Sequence, residues 1–193
     1  MCMRKKIFTI LFILSFLMTF ILPLEAQAEP DYEILYAQAQ EADFKFMHDV
    51  DPYQDEDNFQ YAWSPYLLFR SSSTFIFKSS TIPPGYYLLT PRQHNGKDWI
   101  LFKQQGKVLY TIPVLRTEVV APDFYKTKVP KPKKSGWRKL GDGIAQVFYR
   151  VFKGSKKKNP PQSYIEVERY EGNLYLMKYY YGQTVYITLF RVE

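Results

Sequence analysis

The chain has 193 residues, with 26 Lys and Arg against 19 Asp and Glu, and its formal net charge is +7. Its single cysteine, Cys2, precedes the first apolar run, so the rest of the chain offers neither a thiol nucleophile nor a thiolate metal ligand. The length suits one domain whose hydrophobic core is held together by packing, without disulfide bonds.

The first 28 residues have the pattern of an export signal. Basic residues Arg4–Lys6 precede the apolar run Ile7–Leu22, and Ala26–Ala28 matches a small-x-small cleavage site. We therefore predict a Sec-type signal peptide over residues 1–28 and a periplasmic or secreted protein of the bacterial-type cell envelope. An uncleaved N-terminal membrane anchor is the alternative, because the apolar run is only slightly shorter than the ~20 residues that span a bilayer.

Residues 29–62 form an acidic N-terminal region, in which ten Asp and Glu stand against Lys45 alone. Pro30 suits the first turn of a helix, and apolar side chains recur at helical spacing, so we predict a helix over Pro30–Met47. Pro52 and a run of charged side chains then predict an exposed loop over Asp49–Asn58. The residues of the apolar helix face are Leu35, Ala39, Ala42 and Phe46.

Residues 63–193 are predicted to be a β-rich domain. Turn signals at Pro83–Gly85, His94–Gly96 and Gln105–Gly106 separate short runs of β-branched and aromatic residues. Pro113 interrupts the run Val108–Glu118, which indicates an edge strand or a bulge. Regular turn spacing of about 8–12 residues favours an antiparallel meander.

The C-terminal residues 164–192 predict a three-stranded meander with turns at Glu171–Asn173 and Gly182–Gln183. The last two strands are apolar or aromatic on both faces, so we expect both faces to be covered. Four aromatic residues would favour sugar binding if exposed: Trp63, Tyr66, Tyr179 and Tyr181.

The predicted fold class is mainly β: an antiparallel meander sandwich or partly open barrel of about seven strands. An N-terminal helix precedes it, and one basic amphipathic helical insert interrupts it. Two small β modules joined by the helical insert are the alternative architecture.

The insert spans residues 129–162 and is the main functional candidate. Two Lys- and Pro-containing linkers flank a predicted helix over Asp142–Lys153. An apolar face with aromatic side chains, surrounded by basic residues, is typical of an interfacial helix on anionic head groups. A helix packed on the sheet with its lysines in water is the alternative. The predicted surface-binding residues are Lys131, Lys133, Lys134, Trp137, Arg138, Lys139, Arg150, Lys153, Lys156, Lys157 and Lys158.

The opposite charges of the two regions allow two interpretations. The acidic residues 29–61 and the basic residues 123–169 either neutralise each other in the fold, or the basic part faces an anionic partner. For an exported protein, that partner would be an anionic membrane surface or envelope polymer. A protein partner is a further possibility, and nucleic acid is not expected.

Catalytic motifs are weak, and we assign no catalytic residue, metal site or cofactor. His48 adjoins several aspartates, but neither Asp49 nor Asp51 as a starting residue places the glycine that an EF-hand needs at position six. His94 with Asp98 and one of Ser71–Ser73 lacks a G-x-S-x-G context. The carboxylates that would suit glycoside hydrolysis are Glu166, Glu168 and Glu171.

These observations lead us to expect a non-enzymatic envelope protein that contacts an anionic surface or a protein partner through its basic insert. A secreted hydrolase that acts on an envelope polymer through acidic residues is the alternative. A structural subunit that assembles through its Tyr-rich C-terminal sheet is a third class.

Overall fold

The computed structural model describes residues 30–129 and 157–193. In these ranges the protein is mainly β, with antiparallel strands and few helices, as the sequence predicts. The helices are α1 (Tyr32–Gln38), α2 (Gln54–Gln60) and α3 (Phe124–Lys128), with a 3-10 turn at Met47–Asp49. The strands are β1 (Leu67–Ser71), β2 (Phe75–Phe77), β3 (Ser80–Ile82), β4 (Gly85–His94), β5 (Lys97–Gln104), β6 (Lys107–Pro113), β7 (Arg116–Val119), β8 (Ser163–Arg169), β9 (Leu174–Tyr181) and β10 (Thr184–Val192).

Two open sheets hold these strands. The first has the order β1-β4-β5-β6, and the second has the order β3-β2-β10-β9-β8, with β7 also paired to β10. Strands from before and after the insert therefore share the second sheet, which excludes two separate β modules. Pro113 ends β6, the edge strand from which the chain crosses to β7 in the other sheet, as its missing N–H group predicts.

Tight hairpins join β4 to β5 and β5 to β6 at the turns that the sequence marks. Asn95 and Gly96 have φ angles of 50° and 74°, and Gln105 and Gly106 have φ angles of 51° and 79°. Two successive left-handed residues are the geometry of a type I′ turn, whose twist matches the flanking strands. Both predicted turns are confirmed.

The main core lies between the two sheets and makes the fold a sandwich. Leu89, Ile100 and Phe102 from the first sheet cluster with Phe77 and Phe190 from the second. The hydroxyl of Tyr179 crosses this core and donates a hydrogen bond to the Leu89 carbonyl at 3.1 Å. Burying such a polar group requires this partner, so the bond helps to set the position of one sheet against the other.

The outer face of the second sheet is covered as well. Val185, Ile187 and Leu189 point away from the main core and pack with Tyr32 of α1 and Phe124 of α3. Strands β9 and β10 are thus covered on both faces, and the prediction for the C-terminal meander is confirmed.

An extended segment covers the outer face of the first sheet over β5 and β6, so the predicted N-terminal helix is too long. Helix α1 ends at Gln38, and the residues after it carry apolar side chains at every second position rather than at helical spacing. Ala42, Phe44 and Phe46 pack on a cluster of Trp99, Leu101 and Val108. We call residues 39–60 the acidic strap.

The predicted exposed loop over residues 49–58 is confirmed for the exposure of most of its residues and is wrong at Asp51 and over the helical residues. Asp51 has a relative exposure of only 1%, and residues 54–60 form α2. The charged composition suggested solvent exposure, but a buried aspartate is stable where cations and N–H groups surround it.

The described residues contain ten strands, three more than expected. Strands β1 and β3 are short and lack a strong apolar alternation, and the run Val108–Glu118 divides into β6 and β7 at the sheet crossing. The predicted helix Asp142–Lys153 lies outside the described residues. Within the described part of the chain, no helix is long and apolar enough to cross a membrane.

Candidate functional site

The basic insert leaves the sandwich at α3. Lys128, in the last turn of α3, has its Nζ 2.6 Å from Oε1 of Glu166 on β8. The Phe124 ring stacks on Tyr180 of β9 with 3.9 Å between ring centroids. Stacking and ion pairing together attach this end of the insert to β8 and β9.

The insert returns to the fold beside the C-terminal end of α2. The Lys158 N–H donates to the Gln60 carbonyl at 2.9 Å, and the Ala62 N–H donates to the Lys158 carbonyl at 3.0 Å. The Lys157 ammonium donates to the Asn58 carbonyl at 2.8 Å. Strand β8 begins at Ser163, five residues after Lys158, and Lys128 pairs with Glu166 of the same strand just before the insert begins.

Only two of the predicted surface-binding residues fall in the described part of the chain. Lys157 and Lys158 are both exposed. The others lie outside the described residues: Lys131, Lys133, Lys134, Trp137, Arg138, Lys139, Arg150, Lys153 and Lys156.

Exposed aromatic side chains flank the returning end of the insert. Phe59 is 79% exposed and Trp63 is 63% exposed, and they stand on either side of Tyr61, whose backbone forms an isolated parallel bridge with Lys158. Of the four aromatic residues singled out in the sequence, Trp63 alone is exposed. Tyr66 and Tyr179 are buried, and Tyr181 is partly buried against Tyr66.

A buried ion network joins the acidic strap to the first sheet. Asp51 receives hydrogen bonds from Nε of Arg92 at 3.0 and 3.1 Å, from Nη2 of Arg92 at 2.8 Å, and from Nζ of Lys103 at 3.0 Å. Arg92 also donates to Asp57 and to the Tyr66 hydroxyl, and the Tyr66 hydroxyl donates to Asp57. Two carboxylates thus face two cations, and the network is neutral.

Strand register explains why these side chains meet. In the β4–β5 pair, Arg92 lies opposite Trp99 and Leu88 lies opposite Lys103, so both cations project from the outer face of the first sheet. Long side chains let the two cations reach one carboxylate between them. Asp51 approaches this face from the strap, which passes over it.

The pKa shifts of the network follow from its geometry. Burial alone would raise the pKa of Asp51, but the bonds and charges of Arg92 and Lys103 outweigh it and hold that pKa below its ordinary value. Burial lowers the pKa of Lys103 and the positive charge of Arg92 lowers it further, and together they outweigh the raising effects of Asp51 and Asp57. Burial and the bond to Asp57 raise the pKa of the Tyr66 hydroxyl.

The network ties the strap to the first sheet, with the Asp51 and Lys103 side chains buried and those of Arg92 and Asp57 partly exposed. Lys103 is 1% exposed, and its ammonium is occupied by Asp51 and lies over the Tyr66 ring. A sequence signal existed for this network. Lys103 directly follows the apolar run Trp99–Phe102, and a cation buried in such a strand requires a carboxylate partner. The charge pattern did not identify which carboxylate this was.

Two of the three carboxylates suggested for glycoside hydrolysis, Glu166 and Glu168, are paired with lysines. Glu166 accepts from the Tyr180 hydroxyl at 2.9 Å and pairs with Lys128, while Glu168 lies 3.0 Å from Lys178. Burial would raise the pKa of Glu166, but the bonds from Lys128 and Tyr180 lower it further than burial raises it. A glycosidase acid needs a raised pKa, so this arrangement does not favour acid catalysis.

His94 and Ser71 are too far apart to act together. Ser71 lies opposite Gly85 at one end of β4, and His94 lies nine residues along at the other end, about 30 Å away. The His94 ring stacks on Phe44 with 4.0 Å between centroids, and the Ser71 hydroxyl donates to the Ser73 carbonyl.

Three open grooves, of about 410, 390 and 360 Å³, lie along the strap and its junction with α1. Their charged lining residues include Glu41, Asp43 and Asp98. Glu41 is already bonded to Ser79 at 2.7 Å. Within residues 30–129 and 157–193, no group of three or more His, Cys, Asp or Glu side chains is placed to hold a metal ion.

Comparison with protein-family models, with curated proteins and with solved structures found no match to this chain.

Proposed function

We propose that the protein is an exported, non-enzymatic component of the cell envelope whose basic insert contacts an anionic surface. Residues 129–162 carry ten Lys and Arg against one Asp. The observation that carries the proposal is that two carboxylates of the acidic strap are bound within the β domain. Asp51 and Asp57 bind Arg92, Lys103 and Tyr66 inside the β domain, so these two carboxylates are not available to neutralise the insert.

The attachment of the insert also favours a surface contact. Lys157 and Lys158 are exposed at the returning end of the insert, where backbone hydrogen bonds and the Lys157 ammonium attach the chain to the last turn of α2. A cluster of basic residues on one side attracts an anionic membrane, with each lysine near the surface contributing roughly 1 kcal/mol. This attraction weakens as salt rises.

Co-sedimentation with liposomes tests the proposal. A chain that begins at Glu29 keeps every described contact, since Tyr32–Glu193 forms one compact unit. We expect it to pellet with vesicles that contain phosphatidylglycerol at low salt, to pellet less at high salt, and to remain in solution with neutral vesicles. Changing Lys131, Lys133, Lys134, Lys156, Lys157 and Lys158 to Gln is expected to lower the binding by more than about 100-fold.

A matched control removes the same number of exposed basic residues from outside the insert. The residues changed to Gln in this control are Lys45, Arg70, Lys97, Lys107, Arg169 and Arg191. We expect the control to bind anionic vesicles much more tightly than the insert variant does. Equal losses in the two variants would mean that net charge alone drives the binding, and the insert would have no special role.

A further inference from the structure

The exposed aromatic residues Phe59 and Trp63 are a feature of the described surface that the basic insert does not explain. A single exposed apolar side chain is ordinary, but two large aromatic rings flanking one short backbone bridge are not. The bridge joins Tyr61 to Lys158, so Phe59 and Trp63 each stand two positions from a residue whose backbone lies beside the returning insert. We call Phe59 and Trp63 the aromatic anchor.

Local backbone structure fixes the position of the anchor. Phe59 is in the last turn of α2, which ends at Gln60, and the hydrogen bonds of Gln60 and Ala62 to Lys158 hold the chain on either side of Tyr61. Asp57, on the same helix, is bonded to Arg92 and Tyr66 on the sheet. Asp57 thus attaches α2 to the first sheet, while Phe59 on the same helix is exposed to solvent.

Charge is distributed along α2 so that its basic neighbours lie at the anchor end. Asp55 and Glu56 occupy the first turn, four and three positions before Phe59 and therefore on the same side of the helix. The Lys157 ammonium donates to the Asn58 carbonyl, and the Lys158 N–H donates to the Gln60 carbonyl. Both lysines are therefore attached to the last turn of α2. Aromatic rings beside lysines are the combination that binds the interface of an anionic bilayer.

We infer that Phe59 and Trp63 enter the head-group region of an anionic phospholipid bilayer while Lys157 and Lys158 contact its phosphates. This inference rests on the proposed function and makes it more specific, because it selects a lipid surface over a soluble anionic polymer. A polymer attracts the lysines equally well, but it offers no apolar layer in which a tryptophan side chain is favoured. Trp63 is therefore the residue that distinguishes the two surfaces.

Fluorescence of Trp63 tests the inference without removing either ring. In a chain that begins at Glu29 and carries Trp137→Phe, the remaining tryptophans are Trp63 and the buried Trp99. We expect vesicles containing phosphatidylglycerol to shift the emission to shorter wavelength and acyl-chain-brominated lipids to quench it. Adding Trp63→Phe is expected to abolish both effects. Binding to the vesicles with neither a shift nor quenching would overturn the inference.

Partitioning of a double variant gives an independent measure. Phe59→Ser with Trp63→Ser is expected to lower partitioning into anionic vesicles by at least about tenfold, because two large apolar surfaces stay in water. The matched control is Leu68→Ser with Tyr86→Ser, two residues on the outer face of β1 and β4 that are 64% and 55% exposed. We expect this control to bind as the parent does.

The two proposals fail in different ways. If the six-lysine variant loses binding while the aromatic variant binds like the parent, the electrostatic contact stands and the anchor is overturned. If no chain binds anionic vesicles at low salt, both are overturned, and a protein or polymer partner becomes the subject of study. Far-UV circular dichroism of each variant confirms that the sandwich is folded before binding is compared.

Discussion

The acidic strap and the basic insert have opposite charges along the chain, and the fold treats the described parts of the two differently. The strap directs Asp51 and Asp57 inward, where Arg92, Lys103 and Tyr66 bind them. At the returning end of the insert, Lys157 and Lys158 remain exposed and are held largely through backbone groups. Two charged segments of the chain thus differ in the fold: the strap buries Asp51, and the returning end of the insert exposes Lys157 and Lys158.

A charged segment can therefore be interpreted only together with the residues that it contacts in the folded protein. Asp51 is buried because two cations on the first sheet reach it, and those cations are buried because the strap covers them. Each side depends on the other, so a change at the strap should affect folding. A change at the exposed lysines should affect binding and leave folding intact.

The largest effect is expected from Asp51→Asn. The change leaves Lys103 buried without the carboxylate that binds it, and breaking a buried ion pair on one side costs about 3–5 kcal/mol. Urea unfolding followed by circular dichroism measures this loss. Asp49→Asn, at an exposed position two residues earlier, is the control and should stay within about 0.5 kcal/mol of the parent. A loss below about 1 kcal/mol for Asp51→Asn would show that the strap does not depend on the network.

A smaller loss is expected from Lys103→Met. Asp51 keeps its bonds from Arg92, and methionine removes a buried charge while filling a similar volume, so we expect about 1–2 kcal/mol. The same urea titration compares the two variants directly. If Lys103→Met destabilised the protein as much as Asp51→Asn, Arg92 would not be able to hold Asp51 alone.

Acid should weaken the network through Asp51. Its pKa is below the ordinary 3.8 in the folded protein, so between the two pKa values the unfolded state binds more protons than the native state. The contribution of Asp51 is therefore present above pH 3.8 and is lost as pH falls through the folded pKa, with a slope of at most about 1.4 kcal/mol per pH unit.

Unfolding free energies of the parent and of Asp51→Asn, measured from pH 6 down to pH 3, check this sign. The difference between the two proteins should shrink toward acid, because only the parent has a carboxylate to protonate at that position. A difference that stays constant over the whole range would contradict the lowered pKa of Asp51.

The smallest effect on stability is expected from Lys157→Gln with Lys158→Gln. Both side chains are exposed, and the backbone hydrogen bonds of Lys158 do not involve its ammonium, so the free energy of unfolding should change by less than about 0.5 kcal/mol. Binding to anionic vesicles, however, should fall by about 30-fold if each lysine contributes roughly 1 kcal/mol. A large loss of stability with unchanged binding would reverse the roles assigned to the two regions.

Local patterns predicted much of the β architecture. The Asn95–Gly96 turn and the two-faced apolar strands β9 and β10 depend on neighbouring residues, so short-range rules were sufficient there. The rules failed over residues 39–47, where the spacing of Ala42 and Phe46 fits a helix while the positions of Ala42, Phe44 and Phe46 fit an extended segment. Packing on Trp99 decided between them, and this contact spans more than fifty residues.

The candidate surface was only partly predictable. Lys157 and Lys158 were recognisable from their charge, and Trp63 from its type, but nothing local shows that Phe59 and Trp63 lie beside Lys158. That proximity depends on backbone bonds between residues nearly a hundred positions apart.

By itself, the sequence determined the fold class, the hairpin turns and the uneven charge of this protein, because strand alternation, turn chemistry and composition are properties of neighbouring residues. Only the tertiary structure decided which charges are internal. Arg92 and Lys103 become partners of Asp51 through the register of β4 against β5 and the path of the strap over that face. Burial and pairing arise from contacts between segments distant in the chain, and a local pattern does not contain them.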